Sequence, residues 1–441
     1  MGKQFLEITE KKDVEAIIAR VATEVVTARA KTDASVEKVE VTEALGRIAS
    51  ADVFSALNVP PFDRAIMDGY AVVASDTFYA DETTPASLIV TGTIFAGDLP
   101  PHPIDEGYCM GISTGAPLPQ GANATVKVEN TAEYPEVVDG EEIQKVKIYK
   151  PVAPGENIML AGSDIKEEAQ IIRGGTTLTS RDTGVLAACG LNEILVRRKP
   201  TVALISTGNE LTVPGETLKP AHIYDVNAQT LIDSIRECGC TPYFLGICRD
   251  NIEEISGMLK ESLEIGADVV IASGGTSAGV GDLLPKVIEE RGEILVHGVD
   301  IKPGKPFIFG IIQGKPFFGL PGNPTSALVT FNLFVAPLLR TVSGRSRDYE
   351  GAGKREERSI KANAALRIFS DRGRNEYVLV NLASTEKPEA ASFLAYPILT
   401  GSGAITTLSK ADGYIFMEKG KEIIEEGEMV DVELLTEQLH R

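Results

Sequence analysis

Apolar positions along the 441-residue chain change their period from segment to segment. Near the start, Val14, Ile17, Ile18, Val21 and Val25 recur at helical spacing and form one apolar face. This predicts a helical segment over about 10–50. A second helical stretch is expected over 165–197, where TSRDTGVLAACG reads as an N-capped helix ending at Gly190. Two distant helical pieces, 10–50 and 152–197, predict one elongated, mostly helical domain with another domain inserted between them. The insert, 51–151, reads as β. DGYAVVASD, SLIVTGTIFAGD, ATVKVENTAEY and EEIQKVKIYK are its strand-like runs, and Thr125 to Glu129 shows strand alternation.

From about 198 to 345, strand and helix alternate. TVALIS, TPYFLGI and ADVVIASGG are apolar runs, and helices are expected over about 227–237 and 252–264. Such alternation predicts a parallel sheet covered by helices. KPFIFGI, IQGK and PFFGLPG read as an antiparallel hairpin, with a long helix starting near Pro324. The last segment, 350–441, is β again, with strands expected in SIKANAALRI, NEYVLVNLA and GYIFMEKG. The expected fold class is therefore α/β plus β in several domains.

Composition narrows the function classes. Against 43 Lys and Arg stand 63 Asp and Glu, a net charge of −20. That balance argues against a nucleic-acid surface, which needs clustered cations. It leaves room for a small anion held by a few local cations or backbone N–H groups. The longest apolar stretch, Phe331 to Leu339, is interrupted by Asn332 and Pro337, so no membrane span is expected. The first twenty residues hold no apolar signal core, and a cytoplasmic protein is expected. The five cysteines form no CxxC pair and the four histidines are scattered, so free thiols are expected rather than a zinc site.

The most readable candidate site follows ADVVIAS. A buried strand ends at Ser273 and runs into Gly274, Gly275, Thr276 and Ser277. Ligands of open α/β sheets bind at the C-terminal ends of strands, and glycines there let backbone N–H groups reach a phosphate. A tight turn alone also explains such a loop. A second loop, Gly319-Leu320-Pro321-Gly322-Asn323-Pro324-Thr325-Ser326, lies between a strand and a helix, with Pro324 suited to the first helical turn. Lys302 and Lys305, in Lys-Pro-Gly-Lys-Pro, are two cations in a rigid frame that suit an oxyanion. Glu210, Asp225, Asp250 and Asp282 sit at strand ends, where carboxylates beside a phosphate commonly hold Mg²⁺. In the β insert, Asp63, Asp68 and Thr114 fall in two proline- and glycine-fixed loops.

PPFDRAIMDGYAV, STGAPLP, STGNEL, IYDVN, SGGTSAGVGD, IKPGKPFIFG and GLPGNPTSA, in this order, resemble the molybdopterin molybdenumtransferases, the bacterial MoeA and gephyrin E-domain family. The resemblance covers nearly the whole chain. It implies an elongated homodimer, a central MogA-like α/β domain and a C-terminal β-barrel-like domain. It also implies the reaction: adenylylated molybdopterin and molybdate (or tungstate) enter, the dithiolene receives the metal, and AMP leaves with Mg²⁺ required. A shared cleft between subunits and a molybdopterin adenylyltransferase as upstream partner are implied as well. By this resemblance, functional positions fall on Asp63, Thr114, Asp164, Glu210, Asp250, Asp282, Lys302, Lys305, Pro321, Pro324 and Ser326. Asp68, Asp225, Gly274, Gly275, Ser277, Gly322 and Asn323 are expected at the substrate. Gly373-Arg374-Asn375-Glu376-Tyr377 and Gly401-Ser402-Gly403 resemble further family elements, which puts Arg374 and Ser402 on the molybdate side.

Two positions depart from the family pattern. Leu379 stands where many members carry a second Arg, and Gly298 where many carry a basic residue. Both changes remove positive charge. Two other functions compete. Pterin adenylylation needs only the α/β segment, and the PPFD…MDGY insert and the Gly-Ser-Gly segment argue against it. A non-catalytic scaffold of the same fold is the other, and no fused domain or long linker supports it.

Overall fold

The computed structural model describes residues 8–30, 35–138, 140–276, 283–345, 359–370, 373–384, 393–399, 401 and 403–435. They form two compact units, Met1–Val36 with Arg197–Arg441, and Glu37–Val196.

The first unit is built on a six-stranded sheet. Its order is Thr241–Cys248, Thr201–Thr207, Val269–Ser273, Lys315–Leu320, Ile308–Ile312, Gly292–His297. The first four strands are parallel, and Ile308–Ile312 runs against both of its neighbours. The expected hairpin is present. It turns through Gln313 and Gly314, both at positive φ, as a tight two-residue hairpin loop requires. Side chains alternate between two cores. Val202, Leu204, Val269, Ile271, Phe318 and Leu320 enter one. Ala203, Ile205, Val270, Ala272 and Phe317 enter the other. Helices cover both faces, which is why these strands are apolar at every position rather than at alternate ones.

The helix Pro324–Ser343 fills the first core. It passes through a π-helical turn, Phe331–Val335, just before Pro337, whose ring cannot donate to the preceding turn. The helix is continuous through Asn332 and Pro337, and by length and composition alone it is long and apolar enough to cross a bilayer. Its apolar side chains, including Phe331, Phe334 and Leu338, are instead buried inside this unit.

The elongated helical domain expected from the sequence is corrected in two respects. Among the described residues of these segments α-helix covers Lys11–Ala30 and Ser180–Ala188, with short strands Val36–Glu40, Gln170–Ile172 and Glu193–Arg197 between turns and loops. Moreover, Val14, Ile18, Val21 and Ala22 pack into the core of the α/β sheet with Leu338 and Leu339. The apolar face of residues 14–25 is thus covered within the chain and is not a spare dimer surface. Periodicity identified the face; it could not say what the face meets.

The C-terminal part of the same unit closes into a five-stranded barrel, Ser359–Ala364, Phe393–Pro397, Glu376–Ser384, Gly413–Met417 and Met429–Leu434 in order around it. Val380, Leu382, Ile415, Met417 and Val432 fill it. It is tied to the α/β part where the Lys302 N–H donates to the Asn375 carbonyl (2.8 Å) and the Tyr377 N–H to the Lys302 carbonyl (2.7 Å). Leu379 is buried at this junction with Tyr377 and Tyr414, which accounts for an apolar residue there.

In the second unit the β insert forms a six-stranded sheet, in the order Ala124–Lys127, Gly69–Val72, Tyr108–Ile112, Ala86–Ile94, Glu141–Ile148, Thr131–Val138. Ala124, Thr125 and Val126 are all fully buried, so the alternation read at Thr125 to Glu129 is not a half-exposed strand. Around the helix Ser180–Ala188, a smaller core joins Ala49, Ile172, Leu178, Leu186 and Val196. Asp182 accepts from the Thr179 N–H (2.8 Å) and hydroxyl (2.7 Å) at its N-terminus, and Gly190 follows its end at φ 74°.

Asp268 anchors the N-terminal helix. It pairs with Arg29, lies 3.1 Å from Arg198 Nη2, and accepts the Thr201 N–H at 2.8 Å. Burial pushes its carboxyl up, but Arg29, the Thr201 N–H and Arg198 outweigh burial and hold its pKa below the ordinary carboxylate value. A depressed native pKa adds stability above the unfolded value, and that stability is lost as pH falls through the folded one. Asp268→Asn, which removes the buried carboxylate that Arg29 pairs with, is expected to cost about 3 kcal/mol at pH 7 and to flatten the acid limb of the stability curve. Denaturant unfolding at pH 7 and at pH about 3 measures both effects; equal midpoints for variant and wild type at pH 7 would contradict this account.

Candidate functional site

The parallel strands end on one side of the sheet, and a cavity of about 1250 Å³ lies there. Thr207, Glu210, Asp225, Asp250, Gly274, Gly275, Pro321, Gly322, Asn323, Pro324 and Ser326 line it, with Pro306, Gly403 and Ile405. The first glycine-rich loop is packed against the end of the strand Thr201–Thr207. A Cβ on Gly274 (φ 97°) would stand 2.3 Å from the Thr207 carbonyl oxygen. One on Gly275 (φ 65°) would stand 2.8 Å from Thr207 Oγ1. Only glycine fits either place. The Thr207 hydroxyl is itself buried without a hydrogen-bond partner.

Asp225 caps the helix Val226–Glu237. Its Oδ1 accepts the Ala228 N–H at 3.0 Å, while its Oδ2 is buried and unpartnered. Asp250 follows the edge strand, its N–H directed at Asn209 Oδ1 (3.3 Å). Burial of the carboxyl and the negative charge of Glu210 both raise its pKa above the usual value. Two carboxylates thus face one another beside the glycine-rich loops.

The two lysines of the KPGK turn have separate fates. Lys302 Nζ lies 3.0 Å from Glu376 Oε1, and Glu376 also accepts the Ser370 hydroxyl at 2.8 Å. Lys302 is therefore paired at the junction with the barrel. Its charge is already met by a carboxylate that follows it by 74 positions, which local sequence could not show. Lys305 and Arg374 are exposed, and neither forms an ion pair among the described residues.

In the second unit, Asp68 meets Thr114, and Asp63 is held by Ala161 and Leu118. Asp68 Oδ1 accepts the Thr114 N–H (2.7 Å) and hydroxyl (3.0 Å), and these bonds hold its carboxyl below the usual range. Asp63 Oδ1 accepts the Ala161 N–H at 2.8 Å, and the Asp63 carbonyl accepts the Leu118 N–H at 3.0 Å. Asp164 is exposed, and its N–H donates to the Val59 carbonyl. Phe62, Ile66 and Met67 are exposed around this cluster.

Ser277, Asp282 and Ser402 lie outside the described residues. Gly298 sits at φ 106°, a backbone that disfavours any basic side chain there. No group of three or more His, Cys, Asp or Glu able to hold a metal occurs among the described residues. All five cysteines are free and buried. Sequence reasoning passed over Thr207, Asn227, Ile223, Tyr224 and Ile405, which all line the cavity. The one signal for them was their place in or beside STGNEL, IYDVN and the Gly-Ser-Gly turn.

Three family models match consecutive parts of the chain. The MoeA N-terminal region (domain I and II) matches residues 12–190, a "Probable molybdopterin binding domain" matches 203–341, and the MoeA C-terminal region (domain IV) matches 361–435. The molybdopterin molybdenumtransferase of Haemophilus influenzae is 31% identical over 90% of this chain and 93% of its own length. That of Bacillus subtilis is 31% identical over 91% and 90%. A solved molybdopterin biosynthesis MoeA protein from Pyrococcus horikoshii superposes with a TM-score of 0.68 at 30% identity, covering 94% of this chain and 99% of that one. Another MoeA crystal structure reaches 0.78 at 39% identity, over 98% and 100%. With similarity of this extent along nearly its full length, the chain belongs to the MoeA family of molybdopterin molybdenumtransferases.

Proposed function

We propose that the protein acts in molybdenum-cofactor biosynthesis, taking adenylylated molybdopterin and molybdate, placing the metal in the dithiolene and releasing AMP. The observation that carries this reading is the cavity where two glycine-rich loops, the Glu210–Asp250 pair and the barrel residues Gly403 and Ile405 meet, in a chain that matches the family throughout. Backbone N–H groups of such loops receive phosphate oxygens, and fixed donors offset charge as the phosphoanhydride breaks. Lys305 and Arg374, exposed and without an ion pair among the described residues, are the cations assigned to an incoming oxyanion in a protein of net charge −20.

The donor set fits a hard divalent cation. Burial and the charge of Glu210 both push Asp250 toward its neutral form, and a cation between the two carboxylates would offset both. Glu210 and Asp250, with Asp282 as the resemblance implies, would hold Mg²⁺, which supplies charge neutralisation at the phosphoanhydride when bound. The reading includes a homodimer with a shared cleft and a cytoplasmic setting downstream of a molybdopterin adenylyltransferase. The exposed Phe62, Ile66 and Met67 support a subunit contact near Asp63, Asp68 and Thr114.

Supplying adenylylated molybdopterin with molybdate or tungstate, and measuring AMP release and metal incorporation, tests the reading. ATP with molybdopterin serves as the control for adenylylation. Turnover only in the control would reverse the assignment.

Lys305→Ala is expected to raise the molybdate concentration needed for half-maximal turnover about 10- to 100-fold, the scale of one charged hydrogen bond of about 1.5–3 kcal/mol. Excess molybdate should restore the rate. Lys302→Ala should instead lower the melting temperature by releasing Glu376. An unchanged molybdate dependence in Lys305→Ala would remove it from the site.

Glu210→Gln removes the charge that raises the Asp250 pKa. A raised native pKa penalises the charged form, so the penalty is present at neutral pH and is relieved as pH falls through that pKa. The variant should therefore be slightly more stable than wild type at pH 7, with the gain fading toward pH about 4, while Mg²⁺-dependent AMP release drops. Thermal scans at both pH values and a Mg²⁺ titration check this; a variant with wild-type Mg²⁺ dependence would show that Glu210 takes no part in holding the ion.

A further inference from the structure

Asn227 lies in the first turn of the helix Val226–Glu237, buried beneath the cavity. Its amide nitrogen donates to two acceptors, Ser273 Oγ at the strand end that opens the first loop (3.0 Å) and the Gly322 carbonyl in the second loop (2.8 Å). Nothing in the reaction described above uses it. An amide NH₂ has two donors in a fixed plane, so one side chain sets the distance between both acceptors. The loop bases are pinned elsewhere: the Gly274 N–H donates to the Leu320 carbonyl at 3.0 Å, and Thr276 Oγ1 reaches the same oxygen at 3.5 Å. Gly322 is two residues further along. A Cβ on it would touch Gly274 Cα at 3.8 Å, so the loops lie against each other where Asn227 spans them.

We propose that Asn227 is a positioning residue: its amide sets the spacing of the two glycine-rich loops, and through that spacing the fit of the cavity to a phosphate-bearing ligand. The ligand clause rests on the function proposed above; the spacing clause does not.

Two measurements on the full chain test it: hydrogen exchange without ligand, and calorimetric binding of AMP across pH. In Asn227→Ala, exchange should quicken in peptides covering 274–276 and 320–324 but not in the strand 201–207. AMP should bind on the order of 10-fold more weakly. Asn227→Asp keeps the shape, loses both donors when charged, and regains one O–H donor when protonated. Its affinity relative to wild type should recover as pH falls, and that of Asn227→Ala should not. Glu210, Asp225 and Asp250 line the same cavity and titrate in every variant, so wild type at each pH is the reference. A residue that only stabilised the fold would lower both melting temperatures without this recovery. Unchanged exchange in both loops overturns the proposal. Faster exchange in a protein whose wild type binds no AMP supports the spacing role and overturns the nucleotide reading instead.

Discussion

Burial of the parallel strands on both faces is the constraint on which the rest of the first unit depends. Helices cover Val202 and Leu204 on one side and Ala203 and Ile205 on the other, so neither face can hold a polar ligand. Polar chemistry is confined to strand ends. Because four neighbouring strands run parallel, their C-terminal ends open on the same side. Thr207, Asp250, Ser273 and Pro321 are thereby brought to one cavity from positions spread over more than a hundred residues.

Glycine makes this convergence close enough to matter. The loop after Ser273 approaches Thr207 at distances that a side chain on Gly274 or Gly275 would not tolerate, and the loop after Leu320 lies in van der Waals contact with it. What a helix N-terminus and bare backbone then offer is N–H donors and little formal charge. The protein is strongly acidic, and several of its cations are committed to pairs, among them Arg29, Arg198 and Lys302. The attraction for an oxyanion accordingly falls on a few groups, and their neighbours decide which ones.

In the α/β segment the elements were legible almost residue by residue. Helices expected over 227–237 and 252–264 occupy Val226–Glu237 and Ile252–Glu264. Here propensity, periodicity and capping agree, with Asp225 and Asn251 accepting N–H groups of the first turns. The stretches 35–50 and 152–179 were misread because short strands, caps and turns alternate there without a sustained period. The barrel strands Phe393–Pro397 and Met429–Leu434 passed unnoticed for the same reason.

By itself, the order of seven motifs determined the family and the candidate loops, since each motif is a run of adjacent residues whose turn and capping chemistry is local. Tertiary structure alone decided where the apolar face of Val14, Ile18 and Val21 goes, that Lys302 is held by Glu376, and that Asn227 spans two loops. Each of these joins positions tens to hundreds of residues apart. Helical period shows that a face is apolar and a lysine's neighbours show that it is rigidly framed. Which partner meets that face or that charge is settled only when the whole chain packs, because burial and Coulomb attraction act through space and carry no mark in the local sequence.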